Sequence, residues 1–144
     1  MNSRTLGAVI SAFLGFVLVF ILLWPQPIEG TPAGSILAKW LAGVLDPQGT
    51  HHTATYRVME EVLNVAIFVP FAFAIYHSFR RRKLAFSLLI PMFISIMGEI
   101  CQLLFLPYRV ASFQDVCLNS AGALLGTLIA WGLSRLGNRG RKLP

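Results

Sequence analysis

The sequence predicts an all-α membrane protein. It has four transmembrane helices, both termini in the cytoplasm and a short amphipathic interfacial helix in the first extracytoplasmic loop. Three observations carry this reading. Of 144 residues 56% are hydrophobic and only 12% are charged, where a soluble domain carries about 25% charged residues; the mean hydropathy is +0.68. Four apolar stretches approach or exceed the ~20 residues that a helix needs to cross a bilayer. The basic residues gather on one side of the membrane if those four helices alternate in direction. The length suits a single membrane domain spanning residues 1–144.

The first span runs over residues 6–24 and holds no charge. Its nineteen residues exceed the roughly 7–15 of a signal-peptide core, and the following Pro25-Gln26-Pro27-Ile28-Glu29 offers no small-x-small cleavage site, so a retained helix is expected. The loop from Pro25 to Glu61 is rich in turn-forming residues. Within it, residues 36–45 read as a helix too short to span, with Trp40 as an interfacial anchor and Lys39 able to snorkel. The remaining spans cover about 62–79, 84–106 and 116–136, separated by short connections. Pro70 and Pro91 sit inside the second and third, where each removes a backbone donor and shapes helix packing.

Arg4, Arg80, Arg81, Arg82, Lys83, Arg135, Arg139, Arg141 and Lys142 fall on the side of the termini, against Lys39, Arg57 and Arg109 on the other. The run Arg80 to Lys83 reads as a topology determinant over anionic lipid heads. All six acidic residues, Glu29, Asp46, Glu60, Glu61, Glu99 and Asp115, fall in outer loops or the outer halves of spans. Positive charge beside apolar runs, with no exposed basic face, excludes nucleic acid as the expected partner.

The stretch Gly98 to Gly122 concentrates polar groups where burial is expensive. Glu99 and Gln102, three apart, share a helix face. Asp115, Asn119, Gly122 and Gly126 draw one stripe on the fourth span, and Gly122-x-x-x-Gly126 lets another helix approach closely. The helical rise sets Glu99 about 10 Å below the outer end of the third span and Asn119 about 6 Å below Asp115, so the four polar residues are expected to meet at like depth. Glu61 and Asn64 enter from the same side, and Arg109 overhangs in the connecting loop. An ionised carboxylate at the bilayer centre costs about 2.5–3.5 kcal/mol on insertion scales, which makes an intramembrane acid a functional-site candidate. The bland alternative is glue between helices at about 0.6 kcal/mol per contact, with Asp115 as an N-cap.

Other chemistry is sparse. His51 and His52 are adjacent and belong to no metal-ligand pattern, and no cofactor is expected. His77 falls near the inner interface. Cys101 and Cys117 lie at similar depth and are expected as buried free thiols, since Cys101 points away from the Glu99 face.

Glu99-x-x-Gln102, Arg109 and Asp115-x-x-x-Asn119-x-x-Gly122-x-x-x-Gly126, with Asn64 to Phe71 upstream, resemble the signature of the VanZ-like family. The resemblance covers a core of about residues 61–136, with Phe71 and Ala72 where the family often has a glycine after the proline. It implies a small bacterial cell-membrane protein of the envelope, in a family named for an accessory determinant of teicoplanin resistance. It does not imply a reaction.

Three readings follow. In the first, an outward polar cleft formed by Glu61, Asn64, Glu99, Gln102, Arg109, Asp115 and Asn119 binds an amphiphile, either a lipid-linked cell-wall precursor or the lipidated glycopeptide antibiotic. Its partners are then membrane lipids and that ligand. Gly122, Gly126 and Pro70 shape the packing. In the second, the chain is an integral-membrane enzyme modifying an envelope lipid, with Glu99 and Asp115 as the acid/base pair. The third, a transporter, is disfavoured because the inner half of the spans lacks polar residues. The first is expected, and the oligomeric state is left open.

Overall fold

The computed structural model describes residues 3–23, 36, 39–40, 43–44, 52–79, 83–106 and 110–140. Four long helices carry it: α1 (Ser3–Leu22), α2 (His52–Ser78), α3 (Lys83–Phe105) and α4 (Phe113–Gly140). No strand occurs among the described residues. All four helices are long and apolar enough to cross a membrane. At 1.5 Å per residue, the 27 residues of α2 and 28 of α4 reach about 40 Å, well beyond a ~30 Å hydrocarbon core. α2 therefore starts at His52, ahead of the apolar window that begins at Glu60. The expected outer loop shortens by its last ten residues, 52–61. The segment Arg57-Val58-Met59-Glu60-Glu61 is made of residues that suit a helix outside lipid as well as inside it.

The helices pack in the cyclic order α1, α2, α4, α3, with α2 also touching α3 across the bundle and no contact between α1 and α4 among the described residues. Pairing follows from the spacing of small and apolar residues. On α1, Gly7, Ser11, Leu14, Gly15, Leu18 and Leu22 form one stripe at helical spacing. That stripe meets α2 in antiparallel register. The Ser11 and Ser78 hydroxyls lie 2.8 Å apart, and a methyl group at Gly15 would sit 3.2 Å from the Phe71 ring. Leu18, Leu22, Phe68, Phe71 and Ile75 form the buried core, with Leu14, Ile67, Ile90 and Ile94 packed around it.

α4 runs parallel to α2 and lies closest to it. A Cβ built on Gly122 would collide with the Val65 carbonyl oxygen and stand 3.0 Å from the Phe68 Cβ. One on Gly126 would collide with the Val69 carbonyl oxygen and stand 2.9 Å from its carbon. The expected small-residue stripe thus brings backbone against backbone, as lipid-embedded helices allow. Further along the pair, the Tyr76 and Ser134 hydroxyls lie 3.0 Å apart.

α3 and α4 are antiparallel and joined by buried polar contacts in step. Thr127 Oγ1 donates to the Ser87 carbonyl at 3.3 Å, and Asn119 Nδ2 donates to Ser95 Oγ at 2.9 Å. Between them lie Pro91 and Ala123, both buried. The Ser87 contact has a local cause. Its carbonyl is the one whose helical partner would be the amide of residue 91, and proline has none. Thr127 fills the vacancy from the neighbouring helix, a repair that membrane helices use around proline. Together with Ser11, Ser78, Tyr76 and Ser134, this corrects the expectation that the inner half lacks polar side chains. It carries hydroxyls, all engaged in helix packing.

The start of α1, the end of α2 and the end of α4 meet at one end of the bundle, here the basic end. Glu60, Glu61, Glu99 and Asp115 belong to the other, the acidic end. Of the stretch expected as an interfacial helix, only residues 36, 39, 40, 43 and 44 are described. They are helical, and Ile36, Trp40 and Val44 recur every fourth residue and are exposed.

Gly126→Val should cost about 3 kcal/mol or more, because the obstacle is backbone and cannot rotate away. Gly132→Ala, with nothing within 4 Å of the added carbon, should leave the melting temperature in detergent unchanged or slightly raised, since alanine is the better helix former. Thr127→Val should cost about 0.6–1.7 kcal/mol in wild type and less in a Pro91→Ala background, where residue 91 regains its amide. A double-mutant cycle of detergent unfolding free energies measures that difference.

Candidate functional site

The acidic end is built where α3 finishes, the chain turns and α4 begins. Glu99 is 8% exposed. Its Oε2 accepts the backbone N–H of Ser112 at 2.7 Å. Ser112 in turn caps α4, because its carbonyl accepts the amides of Asp115 at 3.1 Å and Val116 at 3.4 Å. Asp115 is therefore the third residue of α4, not its cap. The sequence reading chose Asp115 for its strong capping preference, but Ser112 is as good a capping residue and lies three positions earlier. Glu99 thus ties the end of α3 to the first turn of α4. The step that pairs Ser87 with Thr127 and Ser95 with Asn119 continues one turn further to bring Glu99 level with Asp115. Asp115 is half-buried at that level.

Gln102 departs from this group. It shares the α3 face with Glu99, yet its Nε2 donates to the Leu22 carbonyl at 2.9 Å. Leu22 is the last residue of α1, where carbonyls have no helical donor. Gln102 therefore caps α1 from α3. Glu61 lies further out, where its Oε1 accepts Gln114 Nε2 at 2.7 Å on the exposed rim, linking α2 to α4. Asn64 is half-buried on the next turn of α2. Arg109 lies outside the described residues, as does His51.

Asn119 is the deepest member, at 1% exposure. Its amide nitrogen is bonded to Ser95, while its Oδ1 has no partner among the described residues. Exchanging the amide's two ends would only move the vacancy to the nitrogen. A buried acceptor left without a donor costs about 1–3 kcal/mol.

Two apolar grooves flank the bundle. One, about 120 Å³, lies between α1 and α3 at the acidic end, lined by residues such as Val19, Leu22, Phe93, Met97 and Cys101. The other, about 570 Å³, lies between α1 and α2 and reaches the basic end; Pro70 lines it and is exposed. Cys101 and Cys117 are free thiols, and Cys117 is exposed where burial was expected. Its neighbour Asn119 takes the inward face of α4, and a residue two positions away points elsewhere. No group of three metal-ligating side chains occurs among the described residues.

Sequence reasoning missed Ser87, Ser95, Ser112 and Leu22 as partners. One signal was available, the four-residue spacing of Ser87 and Pro91, which marks a carbonyl in need of a donor. The Leu22 carbonyl carried no such signal, since any residue ending α1 would offer one.

Four membrane-spanning helices around a buried polar seam define a multi-pass membrane protein. The VanZ/LLP1 family profile matches residues 9–135, nearly the whole bundle, and the chain belongs to the VanZ-like family. Comparison with curated proteins and with solved structures gives no match.

Glu99→Gln keeps an acceptor for the Ser112 amide, whereas Glu99→Leu strands it. The leucine variant should be about 1–3 kcal/mol less stable than the glutamine variant. Its extra hydrogen exchange should be confined to the first turn of α4, as read by mass spectrometry of the 110–120 segment.

Proposed function

We propose that this protein is an accessory protein of the bacterial cell envelope, with its acidic end facing outward and its basic end in the cytoplasm. In this reading the acidic end holds the polar head of an amphiphile. The ligand is a lipid-linked cell-wall precursor or a lipidated glycopeptide. Membership of the VanZ-like family supports a role linked to glycopeptide resistance. The clustering of Arg80 to Lys83 and of Arg135 to Lys142 on the end that carries both termini supports the orientation. Ile36, Trp40 and Val44, exposed at helical spacing, support an interfacial helix lying on the outer surface.

The observation that carries the reading is the buried, unpartnered Oδ1 of Asn119. Within a protein it is a cost. At the floor of a head-group site it is an acceptor held ready for a hydroxyl or amide donor of the ligand. Glu99, Asp115, Asn64, Glu61 and Arg109 would surround that head group. The apolar groove between α1 and α3 opens at the same end and suits an acyl chain. Gln102, by holding the end of α1 against α3, would fix that groove's upper lip.

The alignment of Glu99 with Asp115 supports a second reading. In it the pair works as acid and base on an envelope lipid bound at the same site.

Asn119→Leu separates fold from function. It removes an amide with one unpaired end but also the donor to the buried Ser95 Oγ, so stability should fall by about 1–3 kcal/mol with the fold retained. Native mass spectrometry of protein drawn from its own membrane should show an envelope lipid on wild type and at least a tenfold loss from this variant. Cells carrying it should lose any protection against teicoplanin that the wild type gives. Equal lipid retention would sink the binding reading. A chemically altered lipid seen with wild type and not with Glu99→Gln would establish the enzyme.

A further inference from the structure

The one buried side-chain polar atom without a partner among the described residues is Asn119 Oδ1, in a residue 1% exposed. The amphiphile reading asks of its ligand only a hydrogen-bond donor for that oxygen. The surroundings of Asn119 narrow the donor's chemistry.

Asn119 lies one turn beneath Asp115 on α4, and its partner Ser95 lies one turn beneath Glu99 on α3. Both walls above the amide therefore carry a carboxylate, at a rise of about 6 Å. That is the span of two charge-assisted hydrogen bonds of ~2.8 Å made by one nitrogen, one downward and one upward. Glu99 accepts the Ser112 amide, but a carboxylate has about four lone-pair sites and takes further donors.

The same end is poor in what an anionic head group needs. Four described acids, Glu60, Glu61, Glu99 and Asp115, stand there against one described helix cation, Arg57. Counting Arg109, in the connection from α3 to α4, still leaves two more acids than cations. Helix N-termini hold phosphates through their amides, but the first turn of α4 carries Asp115 and its Ser112 amide donates to Glu99. The side-chain amides of Gln102, Gln114 and Asn119 each donate within the bundle.

A buried acceptor beneath carboxylates matches a donor that carries positive charge. We propose that the head group held at the acidic end carries a primary ammonium. It donates one N–H to Asn119 Oδ1 and is balanced by Glu99 and Asp115 above it. This inference rests on the amphiphile reading and deepens it: a head group whose only charge is a phosphate is rejected.

The test uses the full chain in nanodiscs holding equal parts of phosphatidylethanolamine and phosphatidylcholine, with retained lipids counted by mass after release into the gas phase. The two head groups have the same net charge, and only the ethanolamine has N–H donors. Wild type should retain phosphatidylethanolamine over phosphatidylcholine about fivefold or more, the return of one hydrogen bond to a buried acceptor. Asn119→Leu should abolish that preference, and Asn119→Asp, which keeps an oxygen acceptor, should preserve it. If neither variant folds, the wild-type ratio decides alone. A protein that retains lipid from its own membrane but takes the two nanodisc lipids in proportion to the bilayer overturns the ammonium and leaves the amphiphile reading standing. A protein that retains no lipid from either source overturns both.

Discussion

The rest of the bundle depends on how closely α4 lies against α2. In a membrane, lipid tails are as apolar as leucine, so helices gain little from hydrophobic burial against each other and must gain from contact itself. Gly122 and Gly126 let the α4 backbone reach the carbonyls of Val65 and Val69. That approach fixes which face of α4 remains for α3. The stripe of Asn119, Ala123 and Thr127 then points at Ser95, Pro91 and Ser87. A bulkier residue at either glycine would push α4 outward and pull those polar pairs apart. The polar seam is thus a consequence of the glycine contact, and the two lie on adjoining faces of the helix.

The seam shows how one chain serves both packing and a site. Each polar group on α3 has a structural partner: Ser87 with Thr127, Ser95 with Asn119, Glu99 with the Ser112 amide and Gln102 with the Leu22 carbonyl. Those contacts explain much of why polar residues are present. They do not explain why Asn119 keeps an unpaired oxygen. The excess beyond what packing requires sits at one end of the seam. The basic-end half, with only hydroxyls, shows no such excess.

Much of the fold was legible because lipid imposes simple rules: length and apolarity gave the spans, and the small-residue spacing gave the α2-facing stripe of α4. Helix ends were less legible, because α2 and α4 continue past the membrane, where hydropathy no longer marks them. The site was legible in part. The depth argument brought Glu99 level with Asp115 and set Asn119 on the inner stripe. It misjudged Gln102, since two residues three apart diverge by some 60° around a helix. That is enough for one to face α4 and the other to face α1. It also assigned the cap to Asp115, because capping preference alone does not choose between two good caps in the same turn.

The two ends of the bundle differ in kind, and the difference follows from charge placement. A protein that only needed to sit in the membrane would gain from basic residues at one end and be indifferent to acids at the other. Here the acids are drawn into the helix ends: Glu99 into the joint between α3 and α4, Glu61 into a bridge from α2 to α4. Because those joints hold the ends of three helices, a charge or donor arriving among them would act on all three at once. A ligand's head group bound there would be read by the whole outer half of the bundle.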